Sequence, residues 1–209
     1  MEAKRFIFDL DGTIMTSDPQ LERDYFRSIY GDFGDEFVDQ IPKLLDVYEN
    51  TFPRYDIKML SDYLTSKTNF KVTPKVVRDW VLILAGVPDT KEEDIEKVLE
   101  YFKRKDYSLA VLTNWFRDTQ IPRLKKAGVL EYFDEIYTGD DFLKPQKRAF
   151  LTALGDFQPQ EAVFIGDSVN RDYIGPRACG IHSILYDKKD IHHKTLVKVK
   201  RLDELMEKY

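Results

Sequence analysis

The chain is short of the features that assign a class at a glance. Its only cysteine is Cys179. No internal disulfide is possible, so a reducing, cytoplasmic setting is the expectation. No apolar run approaches the length needed to span a bilayer. Near the start, the apolar run Phe6-Ile7-Phe8 is cut short by Asp9, which is too little for a secretory-signal core. Basic residues are outnumbered, 32 Lys and Arg against 37 Asp and Glu, for a net charge of −5. That sign disfavours a nucleic-acid partner, although it leaves room for a locally basic pocket. Two of the three histidines, His192 and His193, sit in a lysine-rich stretch without other ligands at metal spacing, so a solvated loop is the better reading. There is no internal repeat and no low-complexity linker. What remains is a globular composition, 43% hydrophobic and 33% charged, which argues against disorder. At 209 residues, one domain with a substantial insertion fits.

The insertion shows in the hydrophobic spacing. Phe6-Ile7-Phe8 reads as a strand buried on both faces. From Met15 to Val87 the pattern is helical. Asp18-Pro19 reads as a cap and first helical residue, with Leu21, Tyr25 and Ile29 following and Gly31 as a stop. Phe37, Ile41, Leu44, Leu45 and Tyr48 suggest a second helix that Pro42 kinks or splits. Ile57, Leu60 and Leu64 suggest a third. Thr73-Pro74 opens a fourth, with Val77, Trp80, Val81 and Leu84 on one face. Thr90 to Glu93 then reads as a capping box for a helix carrying Ile95, Val98, Leu99 and Phe102. After it the chain alternates. Strands are expected over 109–113, 135–137, 162–165 and 181–186, and helices near 121–127, 146–154 and 173–178. A short strand near 196–199 and a helix from Leu202 complete the tail. Such alternation implies an α/β fold with a parallel sheet covered on both sides. The domains expected are a core of residues 1–14 and 88–209 and a helical unit of residues 15–87.

Ligands of such sheets bind beyond the carboxyl ends of the strands. The first strand ends in Asp9 and Asp11, with Gly12 allowing a turn. On that stretch alone, a polar turn and a cation-binding loop are equally good readings. The second core strand ends in Thr113-Asn114. The third leads to Lys144-Pro145. The fourth ends in Gly166-Asp167-Ser168, with Asp172 five positions beyond Asp167. Four carboxylates with one lysine on one rim repel one another, and a Mg²⁺ ion supplies the missing charge.

Taken together, Asp9-Leu10-Asp11-Gly12-Thr13, the Thr113 of LTN, Lys144 and GDSVNRD resemble the four motifs of the haloacid dehalogenase (HAD) superfamily, in its phosphatase branch. The resemblance spans the chain. It implies a Rossmann-like core with a helical cap inserted after the first motif. It also implies Asp9 as nucleophile, forming an aspartyl-phosphate, and Asp11 as general acid and then base. Mg²⁺ would be held by Asp9, Asp167 and the backbone carbonyl of Asp11. Thr113 and Asn114 would face the phosphoryl group. Lys144 would hold nucleophile and phosphoryl charge together, and Asp172 would support Lys144 or metal-bound water. One departure is visible: Arg171 stands immediately before Asp172, where the family often has Asn.

Within the family, Asp11 favours phosphoryl chemistry over carbon–halogen cleavage. No cap lysine suited to phosphonate hydrolysis is identifiable. A sugar phosphomutase is the runner-up, because the His and Trp expected after the first motif are missing from 15–30. A non-catalytic binding protein ranks lower, because no motif residue is absent. The reading is a Mg²⁺-dependent phosphatase acting on a small phosphorylated metabolite, monomeric or homodimeric. Sugar phosphates, nucleotides and phosphoglycolate-like acids are all compatible. Trp115, Phe116 and Arg117 either line the substrate pocket or pack between cap and core. Arg23, Arg54 and Lys58 read as surface residues by default.

Overall fold

A computed structural model describes residues 3–209. Side chains on the first strand, β1 (Arg5–Phe8), alternate between two apolar layers, as the period of a strand requires. Phe6 and Phe8 join Leu109, Val111, Val163 and Ile165 on one face, covered by α5 (Ile95–Arg104) through Val98, Leu99 and Phe102. Ile7 joins Ala110, Leu112 and Phe164 on the other, covered by α7 (Lys147–Ala153) through Ala149, Phe150 and Ala153. Each fully buried Phe or Leu contributes about 1.5–3 kcal/mol.

β1 sits at the centre of a six-stranded sheet of order β5-β4-β1-β6-β7-β8. The other members are β4 (Ser108–Leu112), β5 (Glu135–Tyr137), β6 (Ala162–Gly166), β7 (His182–Tyr186) and β8 (Lys198–Val199). All pairs are parallel, with Phe8 level with Val111 on one side and Ile165 on the other. The carboxyl ends of β1, β4 and β6 therefore share one rim, with a helix crossing after β4 and another before β6, α6 (Arg117–Lys126) and α7. The tail ends in a short helix, α9 (Leu205–Lys208), after a 3-10 turn from Leu202. No helix among the described residues is long and apolar enough to cross a membrane.

Four helices lie between β2 (Met15–Ser17) and β3 (Asp89–Lys91): α1 (Gln20–Tyr30), α2 (Gly34–Thr51), α3 (Ile57–Lys67) and α4 (Pro74–Leu84). They bury their own cluster, with Phe26, Phe37, Tyr48, Leu60 and Trp80 at its centre. Phe116 and Leu143, from loops at the sheet rim, complete it. Thr73 caps α4 as expected, its hydroxyl accepting from Val76 N at 3.3 Å, with Pro74 at the first helical position.

Several sequence expectations are corrected. Pro42 does not split α2, which runs unbroken over 18 residues. Asp18 does take a backbone N–H, from Gln20 at 2.9 Å, but α1 begins at Gln20 and Pro19 occupies the cap position. Thr90 belongs to no capping box. It lies in β3, which pairs antiparallel with β2, and α5 starts after Asp94 without a side-chain cap. Met15–Ser17 is thus half of a two-stranded ribbon rather than the start of a helix. The helix expected near 173–178 is a π-helical turn, Val169–Ile174, running into a single α-turn, α8 (Gly175–Arg177).

Candidate active site

β1 hands the chain to a tight loop at the rim. Asp9 N donates to Ile165 O at 2.8 Å, and Leu10 O accepts from Ile14 N at 2.9 Å. Gly12 adopts φ 84°, and a Cβ there would lie 2.4 Å from Asp167 Oδ2. Glycine is required by both the backbone sign and the space. Asp9 itself is 6% exposed.

Lys144 reaches Asp9 from the β5–α7 connection. Its buried Nζ lies 2.5 Å from Asp9 Oδ1 and 2.7 Å from Asp172 Oδ1. Asn114 fixes the lysine's backbone reciprocally: Nδ2 donates to Lys144 O at 3.0 Å, and Lys144 N donates to Asn114 Oδ1 at 2.9 Å. Asn114, expected to face the phosphoryl group, lines the cavity with its amide group bonded to the Lys144 backbone. Asp172 sits on the π-helical turn, its second oxygen accepting from Ser168 N at 3.0 Å. Gly166 permits that approach, since a Cβ there would meet Asp172 Cβ at 2.4 Å.

Oxygens of Asp9, Asp167 and Asp172 all lie within 4.8 Å of one another. Burial, then the neighbouring Asp172 and Asp167, push the Asp9 carboxyl well above the usual carboxylate range, with Lys144 opposing. Burial and Asp172 push Asp167 up to about 6, although its side chain keeps accessible surface at the rim. Lys144 is raised in turn, because Asp172 and Asp9 outweigh its own burial. Three hard oxygen donors facing one ammonium suit a divalent cation such as Mg²⁺. The Asp11 side chain is not part of this cluster.

Asp11 turns toward a different set of groups. Gln120 Nε2 donates to its Oδ2 at 2.8 Å, and Arg123 Nη2 to its Oδ1 at 2.7 Å. Gln120 also bonds the Thr113 hydroxyl at 3.0 Å. Arg123, 4% exposed, reaches on to Asp89 Oδ1 at 2.8 Å and Ser17 Oγ at 2.6 Å. It thereby ties Asp11 to both strands of the ribbon that carries the helices. Asp11 and Asp89 together raise Arg123 above its ordinary range despite burial. Neither Gln120 nor Arg123 was expected. Both lie on one face of α6, three residues apart, but α6 begins at Arg117 rather than near Ile121 and is too polar for an apolar stripe to announce it.

A cavity of about 600 Å³ opens above these groups, with Glu22, Leu45, Glu49, Trp80 and Leu84 facing them from the helices. Arg171 bridges the two sides by pairing with Glu49, whose other oxygen accepts from Tyr55 OH at 2.7 Å. Trp115 lines the cavity and Phe116 packs into the helical cluster. Trp115 is held at φ 100°, a conformation that costs a bulky residue about 1–3 kcal/mol. Arg117 turns away to Asp141 at 2.6 Å. Arg23 and Lys58 pair with Asp39 and Asp62 on the helical surface, and Arg54 lines a separate, smaller cavity.

Known proteins place this arrangement. A family model described as haloacid dehalogenase-like hydrolase matches residues 6–186. A pyrophosphatase, PpaX of Bacillus cereus, is 23% identical over 188 residues, covering 86% of this chain and 81% of its own. The fold superposes on the putative HAD-hydrolase YfnB of Bacillus subtilis, solved bound to magnesium, with a TM-score of 0.73, 18% identity and coverage of 99% and 98% of the two chains. It superposes equally on L-2-haloacid dehalogenase of Xanthobacter autotrophicus with bound chloropropionic acid, at a TM-score of 0.72, 15% identity and coverage of 97% and 96%. Matched over most of its length, from β1 to β7, the chain belongs to the haloacid dehalogenase-like hydrolase family.

Proposed function

We propose that this chain is a Mg²⁺-dependent phosphatase of small phosphorylated metabolites, with Asp9 as nucleophile. The observation that carries the reading is the pairing of a buried, lysine-bonded Asp9 at the cavity floor with a second acid, Asp11, held two residues away by other groups. A hydrolase that displaces halide has no leaving alkoxide to protonate, so a general acid beside the nucleophile favours phosphoryl chemistry. Fold likeness to the dehalogenase therefore does not decide the chemistry.

Asp9 attacks phosphorus, and the bond from phosphorus to the alcohol oxygen breaks. Asp11 delivers a proton to the departing oxygen. Lys144 keeps the Asp9 carboxylate oriented and offsets charge on the transferring group. Asp11 next takes a proton from water, whose oxygen attacks the aspartyl-phosphate. Inorganic phosphate leaves, and both acids return to their starting forms. Asp9 and Asp167, with the Asp11 carbonyl, would hold Mg²⁺, and Asp172 would support the site. The cation would neutralise phosphoryl charge when bound. Thr113, with its hydroxyl beside Gln120, is assigned to the phosphoryl side.

The four helices, residues 15–87 with their ribbon, are read as a cap that excludes water from the cavity. A single cysteine supports a reducing, cytoplasmic setting as part of this reading. The test is phosphate release across a panel of phosphate esters with and without Mg²⁺. Release that requires Mg²⁺ is the expected result. Release of halide from 2-haloacids with no phosphate release would reject the reading.

A further inference from the structure

The cavity above Asp9 is more acidic than its floor requires. Seven carboxylates and three basic side chains line it, an excess of four negative charges. Every basic group is already engaged: Lys144 by Asp9 and Asp172, Arg123 by Asp11 and Asp89, Arg171 by Glu49. A divalent cation at the floor removes only half of the excess.

The floor receives the phosphoryl group. The facing wall, built by α1, α2 and α4, meets the rest of the molecule. It is apolar and aromatic, with Leu45, Trp80 and Leu84, and its charged groups are Glu22 and Glu49. Glu49 is satisfied by Arg171 and Tyr55. Glu22 is not: among the described residues its hydrogen bond comes from the neutral indole of Trp80, at 2.8 Å. Burial lifts its carboxyl above the usual range. A carboxyl in that position retains capacity to accept a donor. The Trp115 indole N–H is buried without a partner.

From this we infer that the alcohol released in this cavity carries a hydrogen-bond donor, hydroxyl or ammonium, and no second anionic group. The inference rests on the phosphatase reading above and narrows its substrate class. A second phosphate or a carboxylate would face Glu22 with no uncommitted cation to meet it, and like-charge contacts of that kind are strongly disfavoured. A hydroxyl or ammonium finds an acceptor in Glu22, and an ammonium also gains from the faces of Trp80 and Trp115. The chain thus departs from the pyrophosphate chemistry named for its relative.

The test compares kcat/KM of the wild-type chain with Mg²⁺ on phosphoethanolamine, glycerol 3-phosphate, phosphoglycolate and pyrophosphate, with p-nitrophenyl phosphate as reference. Phosphoethanolamine and glycerol 3-phosphate are expected to exceed the two competitors that carry a second anionic group by about tenfold or more. Glu22→Gln is expected to shrink the ratio of phosphoethanolamine to phosphoglycolate toward one. Calorimetric affinities of the same compounds for Asp9→Asn protein are expected to follow the same order without turnover. Phosphoglycolate or pyrophosphate equal to or better than the other two overturns the inference and leaves the phosphatase reading standing. Failure to hydrolyse every compound, p-nitrophenyl phosphate included, removes that reading and the inference with it.

Discussion

Asp9 and Asp11 are two residues apart and belong to differently built regions. The floor around Asp9 is closed on itself. Lys144 and Asp172 are 2% and 1% exposed, and their bonds run within the sheet rim. The wall around Asp11 is open and connected outward. Its side chain is 47% exposed, and its partner Arg123 reaches both strands of the ribbon under the helices. A fixed charge suits a nucleophile, which needs position more than mobility. A group that must gain and lose a proton is better served by an exposed side chain held by hydrogen-bonding partners. The surroundings of the two acids thus differ in the way the proposed division between nucleophile and proton carrier requires.

The largest effect should come from the floor. Asp9→Asn is expected to lower kcat by at least ~10³-fold while circular dichroism stays native, since an amide cannot act as the carboxylate nucleophile that Lys144 orients. Turnover close to wild type would remove Asp9 as nucleophile. Lys144→Met should come next. It leaves Asp9 and Asp172 buried without their countercharge, an imbalance worth about 3–5 kcal/mol, visible as a lower urea midpoint that added Mg²⁺ partly restores.

On the wall, Arg123→Lys is expected to reduce kcat about 10- to 100-fold for alkyl phosphates and far less for p-nitrophenyl phosphate, whose leaving group needs little protonation. An equal loss on both would mean that Arg123 only holds the fold. The smallest effect concerns pH. Burial and the neighbouring Asp172 raise the Asp167 carboxyl to about 6. Its proton is bound more tightly in the folded than in the unfolded chain, so its contribution is present below the ordinary carboxylate range and lost as pH rises through about 6. The rise in melting temperature on adding Mg²⁺ should therefore be greater at pH 7.5 than at pH 5. A rise independent of pH would detach Asp167 from the cation site.

The floor was legible in the sequence because its carboxylates lie at or just beyond the ends of apolar runs. Phe6-Ile7-Phe8 points to Asp9, and Ala162 to Gly166 points to Asp167 and Asp172. The helices were legible from apolar spacing and, at Thr73-Pro74, from the cap. The wall was not. Gln120 and Arg123 meet Asp11 across more than a hundred residues of chain, and α6 buries too few apolar groups to leave a pattern. The ribbon of β2 and β3 has three residues per strand, too short for alternation to register. Arg171 was visible as a departure, but its partner Glu49 was not, since only the packing of α2 over the rim brings them together.

The central claim is that Asp9 carries the phosphoryl group while Asp11 manages the proton. Asp11→Asn tests it directly, with p-nitrophenyl phosphate as a substrate whose leaving group departs unaided. Rapid mixing with Mg²⁺, followed by peptide mass analysis after acid quench, should show a burst of p-nitrophenol equal to the enzyme present and a phosphoryl group on Asp9. Linear product release without a burst, or a phosphoryl group on any other residue, would contradict it.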